Sequence, residues 1–210
     1  DITMCPQPNV WGVTYDDGPT ALPDTPNSSD LRAQLAAMNQ QKATFFVAGS
    51  PGFYQPAELK NIYDAGHEIA VHTWTHAALT SLTNPQIVAE ILYTEAWIVR
   101  TIGVKPVLFR PPFGDVDDRV RGIIGALGYK NVMWALNRDS QDTTATTLDQ
   151  TVASVTSWFT PQPGFISLEH NITPNTTAKS IAVLKAVQAA GATFPLKMMP
   201  VGVCLGVSPY

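Results

Sequence analysis

Short apolar runs rich in β-branched and aromatic residues alternate with longer segments of helical period along all 210 residues, and this alternation restricts the fold more than any other feature. The runs Asn9 to Tyr15, Ala43 to Gly49, Glu68 to Thr73, Val107 to Arg110, Lys130 to Ala135, Gly164 to Glu169 and Thr193 to Lys197 read as strands. Segments near Ser29 to Gln40, Pro56 to Ala65, Pro85 to Ile102, Asp117 to Leu127, Thr147 to Phe159 and Thr176 to Ala190 read as helices. Pro85 takes a first-turn position, and Gly66, Gly103, Gly128 and Gly191 follow last turns. Strands joined by helical crossovers run parallel. About seven of them predict an α/β fold, a closed or nearly closed (β/α) barrel in a single domain over residues 1–210, with an open doubly wound sheet as the alternative. In the barrel, chemistry gathers at the carboxyl ends of the strands.

Composition supports one core and removes several function classes. Hydrophobic residues make up 45% of the chain and charged residues 14%, enough to fill a single domain of this length. The formal charge is −4 and Lys and Arg form no stripe, which argues against a nucleic-acid partner. No apolar run reaches the ~18 residues of a membrane span. The chain is expected to be a soluble monomer.

Cys5 and Cys204 lie near the two ends of the sequence. Paired, they close nearly the whole chain, with a loop-entropy contribution of at most about 5 kcal/mol; unpaired, they are two buried thiols. Pairing is the expectation, and it fits an oxidising compartment. Asn-x-Ser/Thr tripeptides at Asn27, Asn171 and Asn175 lean the same way, so the expected location is secreted, extracellular or in the cell wall.

Chemically suggestive groups follow the predicted strands. Val13-Thr14-Tyr15-Asp16-Asp17-Gly18-Pro19 ends the first strand with two adjacent carboxylates on a tight turn. Neighbouring acids repel, and a cation would neutralise one of them. His72 and His76 follow the third strand, and an i, i+4 pair on one helical turn aims both imidazoles at a single ion. One carboxylate and two imidazoles make a three-ligand site with a position left open. Arg110-Pro111-Pro112-Phe113-Gly114 follows the fourth strand, either as a rigid catalytic loop or as a stiff rim turn. Asp139-Ser140-Gln141-Asp142 follows the fifth and either supports the site or caps a helix. Leu168-Glu169-His170 closes the sixth.

Together these five stretches resemble, in order and over nearly the whole chain, the motifs of the NodB-homology polysaccharide deacetylases of carbohydrate esterase family 4. The similarity is greatest to their fungal chitin deacetylase branch, and the fold it implies is a distorted (β/α) barrel of about seven parallel strands. The resemblance implies that Asp17, His72 and His76 bind the metal, Asp16 is the general base and His170 the general acid. It implies that Arg110 tethers the base, the Phe113 backbone N–H meets the oxyanion and Leu168 lines the pocket for the acetyl methyl. Asp139 or Asp142 would support His170. Phe113 stands where the family usually has Tyr, and Thr143 where it prefers an aromatic residue. His67 resembles a commonly occurring family position but is read as structural.

The implied activity is hydrolytic removal of N-acetyl groups from N-acetylglucosamine units of chitin or chitooligosaccharides. The implied cofactor is a divalent metal: two histidines and a carboxylate suit Zn2+, and Co2+, Ni2+ or Mn2+ fit the same ligands. Peptidoglycan or acetylxylan deacetylation, or noncatalytic carbohydrate binding on the same barrel, are the alternative readings. Asn171, beside the proposed acid, is expected to stay unglycosylated because a glycan there would crowd the groove.

Overall fold

The alternation builds a barrel whose first strand changes neighbours halfway along. The structure, a computed structural model, describes residues 1–210 apart from positions 21, 22 and 24. Its elements are β1 (Val10–Gly12), β2 (Thr14–Asp16), α1 (Ser28–Ala37), β3 (Thr44–Val47), α2 (Gly49–Gly52), α3 (Pro56–Asp64), β4 (Glu68–Val71), α4 (Asn84–Ile102), β5 (Leu108–Phe109), α5 (Asp118–Ala126), β6 (Lys130–Asn131), α6 (Leu148–Thr156), β7 (Phe165–Ile166), α7 (Pro174–Ala190), β8 (Lys197–Met199) and α8 (Val201–Leu205). All the strand pairings are parallel, in the orders β7-β1-β8 and β2-β3-β4-β5-β6.

The predicted strand Asn9 to Tyr15 is thus two elements in one run of chain. β8 lies along its first half and β3 along its second, and the handover falls at Val13, whose N–H goes to Met199 O and whose carbonyl accepts from Thr44 N. Pro200, with no N–H to offer, ends β8 there and caps α8. Residues 2 and 3 fill the gap between β6 and β7: Ile2 N–H donates to Asn131 O, Met133 N–H to Ile2 O, and Ile166 N–H to Thr3 O. Beyond that wedge Ala135 N–H reaches Ile166 O and Leu168 N–H reaches Arg138 O, so the sheet wraps round on itself. That excludes the open doubly wound alternative.

Side chains alternate across the barrel wall. Tyr15, Phe45, Val47, Ile69, Val71 and Phe109 join the outer core beneath the helices, while Val10, Phe46, Ala70, Leu108, Val132 and Ile166 fill the inside. With both faces buried, the strands read as continuous apolar runs. The Cys5–Cys204 disulfide lies in the inner core. At the amino ends of the strands Glu68 accepts from Thr44 Oγ1 and from the N–H groups of Gly202 and Val203, holding the first turn of α8 to the barrel floor.

Several boundaries differ from the sequence reading. β8 starts at Lys197, not Thr193, because Pro195 removes a ladder donor and residues 191–193 form a 3₁₀ turn. α1 ends at Ala37, short of Gln40, where Asn39 and Gln40 take positive φ. β6 covers only Lys130–Asn131 of the predicted run to Ala135; the rest hydrogen-bonds to the wedge and β7 without a regular ladder. α4 and α7 begin slightly earlier than expected, each with a Thr side chain at the cap and a proline in the first turn.

Candidate active site

The inward side of each strand, continued past its carboxyl end, delivers the site. Thr14 and Asp16 follow Gly12, Arg110 follows Leu108, His72 follows Ala70, and Leu168 and His170 follow Ile166, each two residues on. They converge on a cavity of about 180 Å³ lined by Asp16, Asp17, His72, His76, Pro111, Phe113, Trp134, Leu168 and His170. Larger clefts, of about 710 Å³ between α1 and α7 and about 460 Å³ beside α3 and α4, bring together no comparable set of histidines and carboxylates.

Asp16 and Arg110 are fully buried and paired. Arg110 Nη1 donates to Asp16 Oδ1 at 2.8 Å and to Thr14 Oγ1 at 2.8 Å, while its other nitrogens reach the carbonyls of Val132, Met133 and Ser167. The guanidinium lies 4.2 Å above the Phe46 ring. Five donors are thereby satisfied in a rigid fork, and one Asp16 oxygen is fixed.

The second carboxylate faces the histidines. Asp17 Oδ1 lies 3.2 Å from His72 Nε2 and 3.1 Å from His76 Nε2, and the three donor atoms fall within 4.8 Å of one another. His72 Nδ1 sits 2.7 Å from Arg110 O, so its N–H belongs there and Nε2 presents a lone pair. Among the described residues, Asp17 Oδ1 is buried with no conventional hydrogen-bond donor. A carboxylate oxygen and two ring nitrogens, oriented and otherwise unpartnered, are a donor set that fits a divalent cation. Burial would push the Asp17 carboxyl up, but the two imidazoles outweigh it and hold it far below the usual carboxylate range. Burial likewise disfavours charge on His76, yet Asp17 beside it raises its pKa.

The histidines do not share the helical turn expected from their spacing. Thr73 and His76 take φ of +67° and +59°, so residues 72–76 form a loop instead. Glu90 on α4 pins that loop, accepting from Trp74 N at 2.8 Å, Thr75 N at 2.7 Å and Thr75 Oγ1 at 2.6 Å. Asp17, Phe113 and Gln141 also have positive φ. Each such non-glycine residue costs on the order of 1 kcal/mol, and here they sit in the loops that surround one cavity.

Opposite the histidine pair, His170 Nδ1 is 2.7 Å from Asp142 Oδ1, and the His170 backbone N–H donates to Asp142 Oδ2 at 2.7 Å. Burial opposes protonation of this imidazole, but Asp142 pushes its pKa up to about 9. Asp139 instead accepts from Gln141 N at 2.8 Å and stabilises its own turn. Buried Lys179 on α7 donates to Thr143 O and Thr146 O, tying down the loop that follows Asp142. Glu169, between Leu168 and His170, is buried, and burial keeps its carboxyl protonated well above the usual range.

Phe113 is exposed, packs edge-on against His76 at 4.6 Å, and has φ +60°; the turn's hydrogen bonds are made by the N–H groups of Gly114 and Asp115. Leu168 and Trp134 form the apolar side of the cavity. His67 is remote, at the amino end of β4: its Nδ1 accepts from Ala43 N, and burial lowers its pKa to about 4. Sequence reasoning missed Thr14, Glu90, Trp134 and Lys179. Glu90 and Lys179 lie on helices outside the motifs; Thr14 stands within the first stretch and Trp134 shortly before the fourth, positions that could have drawn attention to them.

The polysaccharide deacetylase family matches residues 3–132. Chitin deacetylase 1 of Cryptococcus neoformans var. grubii is 38% identical over 94% of this chain and 44% of its own length. Chitin deacetylase 1 of Saccharomyces cerevisiae is 31% identical over the whole of this chain and 64% of its own. The chain thus spans about half the length of these relatives. Among solved structures, the chitin deacetylase of the fungal pathogen Colletotrichum lindemuthianum superposes with a TM-score of 0.82 at 26% identity, covering 99% of this chain and 92% of that one. The Bc1960 peptidoglycan N-acetylglucosamine deacetylase gives a TM-score of 0.85 at 23% identity, over 99% of this chain and 93% of that one, a likeness of fold. The chain belongs to the polysaccharide deacetylase family. Among the described residues, no helix is long and apolar enough to cross a membrane.

Proposed function

We propose that this chain is a metal-dependent amidohydrolase that removes N-acetyl groups from N-acetylglucosamine units of chitin or chitooligosaccharides and releases acetate. One observation carries the reading: Asp16 paired with buried Arg110, the Asp17-His72-His76 cluster and His170 backed by Asp142 present their functional groups to the same small cavity. The chitin deacetylases among its relatives favour this polymer over peptidoglycan or acetylxylan.

Asp17, His72 and His76 would hold the ion, with zinc the best match to the donor set and Co2+, Ni2+ or Mn2+ able to use the same ligands. Bound there, a divalent ion supplies Lewis acidity and makes water a competent nucleophile near neutral pH. Asp16, oriented by Arg110, takes the proton of the attacking water as oxygen adds to the acetyl carbon. The Phe113 N–H steadies the developing oxyanion. His170, kept protonated by Asp142, gives its proton to the sugar nitrogen as the C–N bond breaks, leaving acetate and a free amine. Leu168 and Trp134 receive the acetyl methyl. Asp139 acts through its turn, not on the substrate.

The Cys5–Cys204 bridge favours work outside the cell or in its wall. The deciding experiment is acetate release from chitooligosaccharides, peptidoglycan fragments and acetylxylan side by side, on protein loaded with each candidate metal. Release from chitooligosaccharides at the highest kcat/KM is expected. No release from any of the three would overturn the enzymatic reading.

A further inference from the structure

The chain carries three Asn-x-Ser/Thr tripeptides, and the fold treats their asparagines very differently. An N-linked glycan replaces one hydrogen of the side-chain amide, so the folded acceptor has to face solvent and take no part in packing. Asn27 is 4% exposed and caps α1, its Oδ1 accepting from Ser29 N at 2.9 Å. Asn171 is fully buried: its Oδ1 accepts from Gly18 N, its Nδ2 donates to Ser28 Oγ at 2.9 Å, and a Cβ on Gly18 would lie 2.5 Å from Nδ2. Neither amide leaves room for a sugar.

Asn175 is different. It is the second residue of α7, after the Thr173 cap and Pro174, and it is exposed, whereas Thr176 and Thr177 turn inward. Among the described residues its side chain has no hydrogen bond or ion pair. A glycan there leaves the cap and the helix as they are. α7 follows the carboxyl end of β7, and Asn175 comes five positions after His170, so their Cα atoms are at most ~18 Å apart. The attachment point is thus on the end of the barrel that holds the catalytic cavity.

We infer that Asn175 is the N-glycosylation site of this chain, carrying an oligosaccharide on the cavity-bearing end of the barrel, while Asn27 and Asn171 stay bare. The inference rests on the reading of the chain as secreted, not on its catalysis. In the transfer, the Asn175 amide nitrogen attacks the anomeric carbon of a lipid-diphosphate-linked oligosaccharide. The new C–N bond replaces the anomeric C–O bond, the lipid diphosphate departs and the amide gives up one proton. Transfer precedes folding, when Thr177 is still accessible. The test secretes the whole chain from a yeast host behind a leader peptide, as wild type, Asn175→Gln, Ser29→Ala and Thr173→Asp. Ser29→Ala ends the tripeptide at Asn27 without touching that side chain, and Thr173→Asp ends the one at Asn171 while keeping a capping group on α7. Intact mass is read before and after endoglycosidase H on native protein, with glycopeptide mapping beside it. Wild type, Ser29→Ala and Thr173→Asp are each expected to lose the mass of one glycan, and Asn175→Gln to lose nothing. Because the leader imposes translocation, a bare Asn175 refutes the site whatever the chain's natural location, and peptide maps decide equally for protein retained in the endoplasmic reticulum. A mass loss that persists in Asn175→Gln or disappears in either of the other variants, or a glycan released only after denaturation, would overturn it as well.

Discussion

Replacing Asp142 by Asn separates the proposed acid from its support while leaving its shape almost intact. Asp142 is 1% exposed and contacts His170 twice, at Nδ1 and at the backbone N–H, both at 2.7 Å. The carboxylate, joined by the charges of Asp16 and Asp17, raises the His170 pKa from the ordinary 6.5 to about 9, against the opposing effect of burial. At about 1.4 kcal/mol per unit that rise corresponds to roughly 3 kcal/mol, an upper figure because the His170 side chain is 27% exposed and solvent screens part of it. The folded-state pKa is the higher one. The stabilisation is therefore complete below the unfolded value near 6.5 and is lost as pH rises through about 9.

An Asn at 142 carries no charge and has a single acceptor oxygen for the two His170 donors, so the imidazole should release its proton roughly 2 units lower. If His170 delivers the proton to the leaving nitrogen, the alkaline limb of kcat moves down by the same amount. The variant should then match a constant fraction of wild-type turnover near pH 6 and fall roughly tenfold further by pH 8. Initial rates of acetate release from N-acetylglucosamine hexamer, measured from about pH 5.5 to about pH 10 with metal content checked at each end, read this directly. A uniform loss of rate with the alkaline limb unmoved would show that Asp142 does not set the protonation of the acid, and the assignment of His170 would have to be abandoned.

The two adjacent acids should part company: Asp17→Asn is expected to lose metal, whereas Asp16→Asn keeps it and loses turnover at least ~100-fold, as metal analysis beside acetate release will show. Near wild-type turnover in Asp16→Asn refutes the base. Glu90→Ala should weaken metal affinity roughly 10-fold or more by freeing the Trp74 and Thr75 N–H groups, measured by competition with a chromogenic chelator; unchanged affinity would mean the loop holds itself. Asn171 is fully buried and bonds Gly18 N and Ser28 Oγ, so glycopeptide mapping should find it bare, and Asn171→Ala should cost about 1–3 kcal/mol in denaturant titration; an occupied Asn171 contradicts the structure. Cys5→Ala with Cys204→Ala should lower stability by about 2–5 kcal/mol, and two alkylatable thiols in the oxidised native protein would rule the bridge out.

The barrel was legible because parallel strands covered on both faces are continuous apolar runs, and Phe45-Phe46-Val47 and Ile69-Ala70-Val71 are such runs. Strand ends were less legible. β5, β6 and β7 keep only two ladder residues each, since Arg110 runs straight into Pro111 and Pro112 while the wedge at residues 2 and 3 takes over pairing beside β6 and β7. No local pattern reveals that a distant segment will fill a barrel seam. The same limit applies to the site. Its inner residues stand in five short stretches, but Glu90 and Lys179 act through backbone groups of loops they do not belong to, and a carboxylate or ammonium on a helix has no signature that separates it from a solvated surface charge.

The adjacent acids show how local geometry completes what periodicity begins. Successive residues of a strand face opposite ways, so a regular strand would send Asp16 into the barrel and Asp17 out beneath the helices. Both line the cavity because Asp17 adopts φ +75°, turning the chain back at the strand's end. The turn is held from behind: Gly18 N–H donates to Asn171 Oδ1, and a Cβ at Gly18 would lie 2.5 Å from the Asn171 amide. Asn171 in turn directly follows His170 and takes its backbone N–H to Asp16 O. The strand end that presents Asp16 and Asp17, the proposed base and metal ligand, is thus locked to the strand end that presents His170, the proposed acid. A side chain larger than hydrogen at position 18 would have to push these two ends apart, which makes Gly18 a requirement of the distance between Asp16 and His170 as much as of the turn itself.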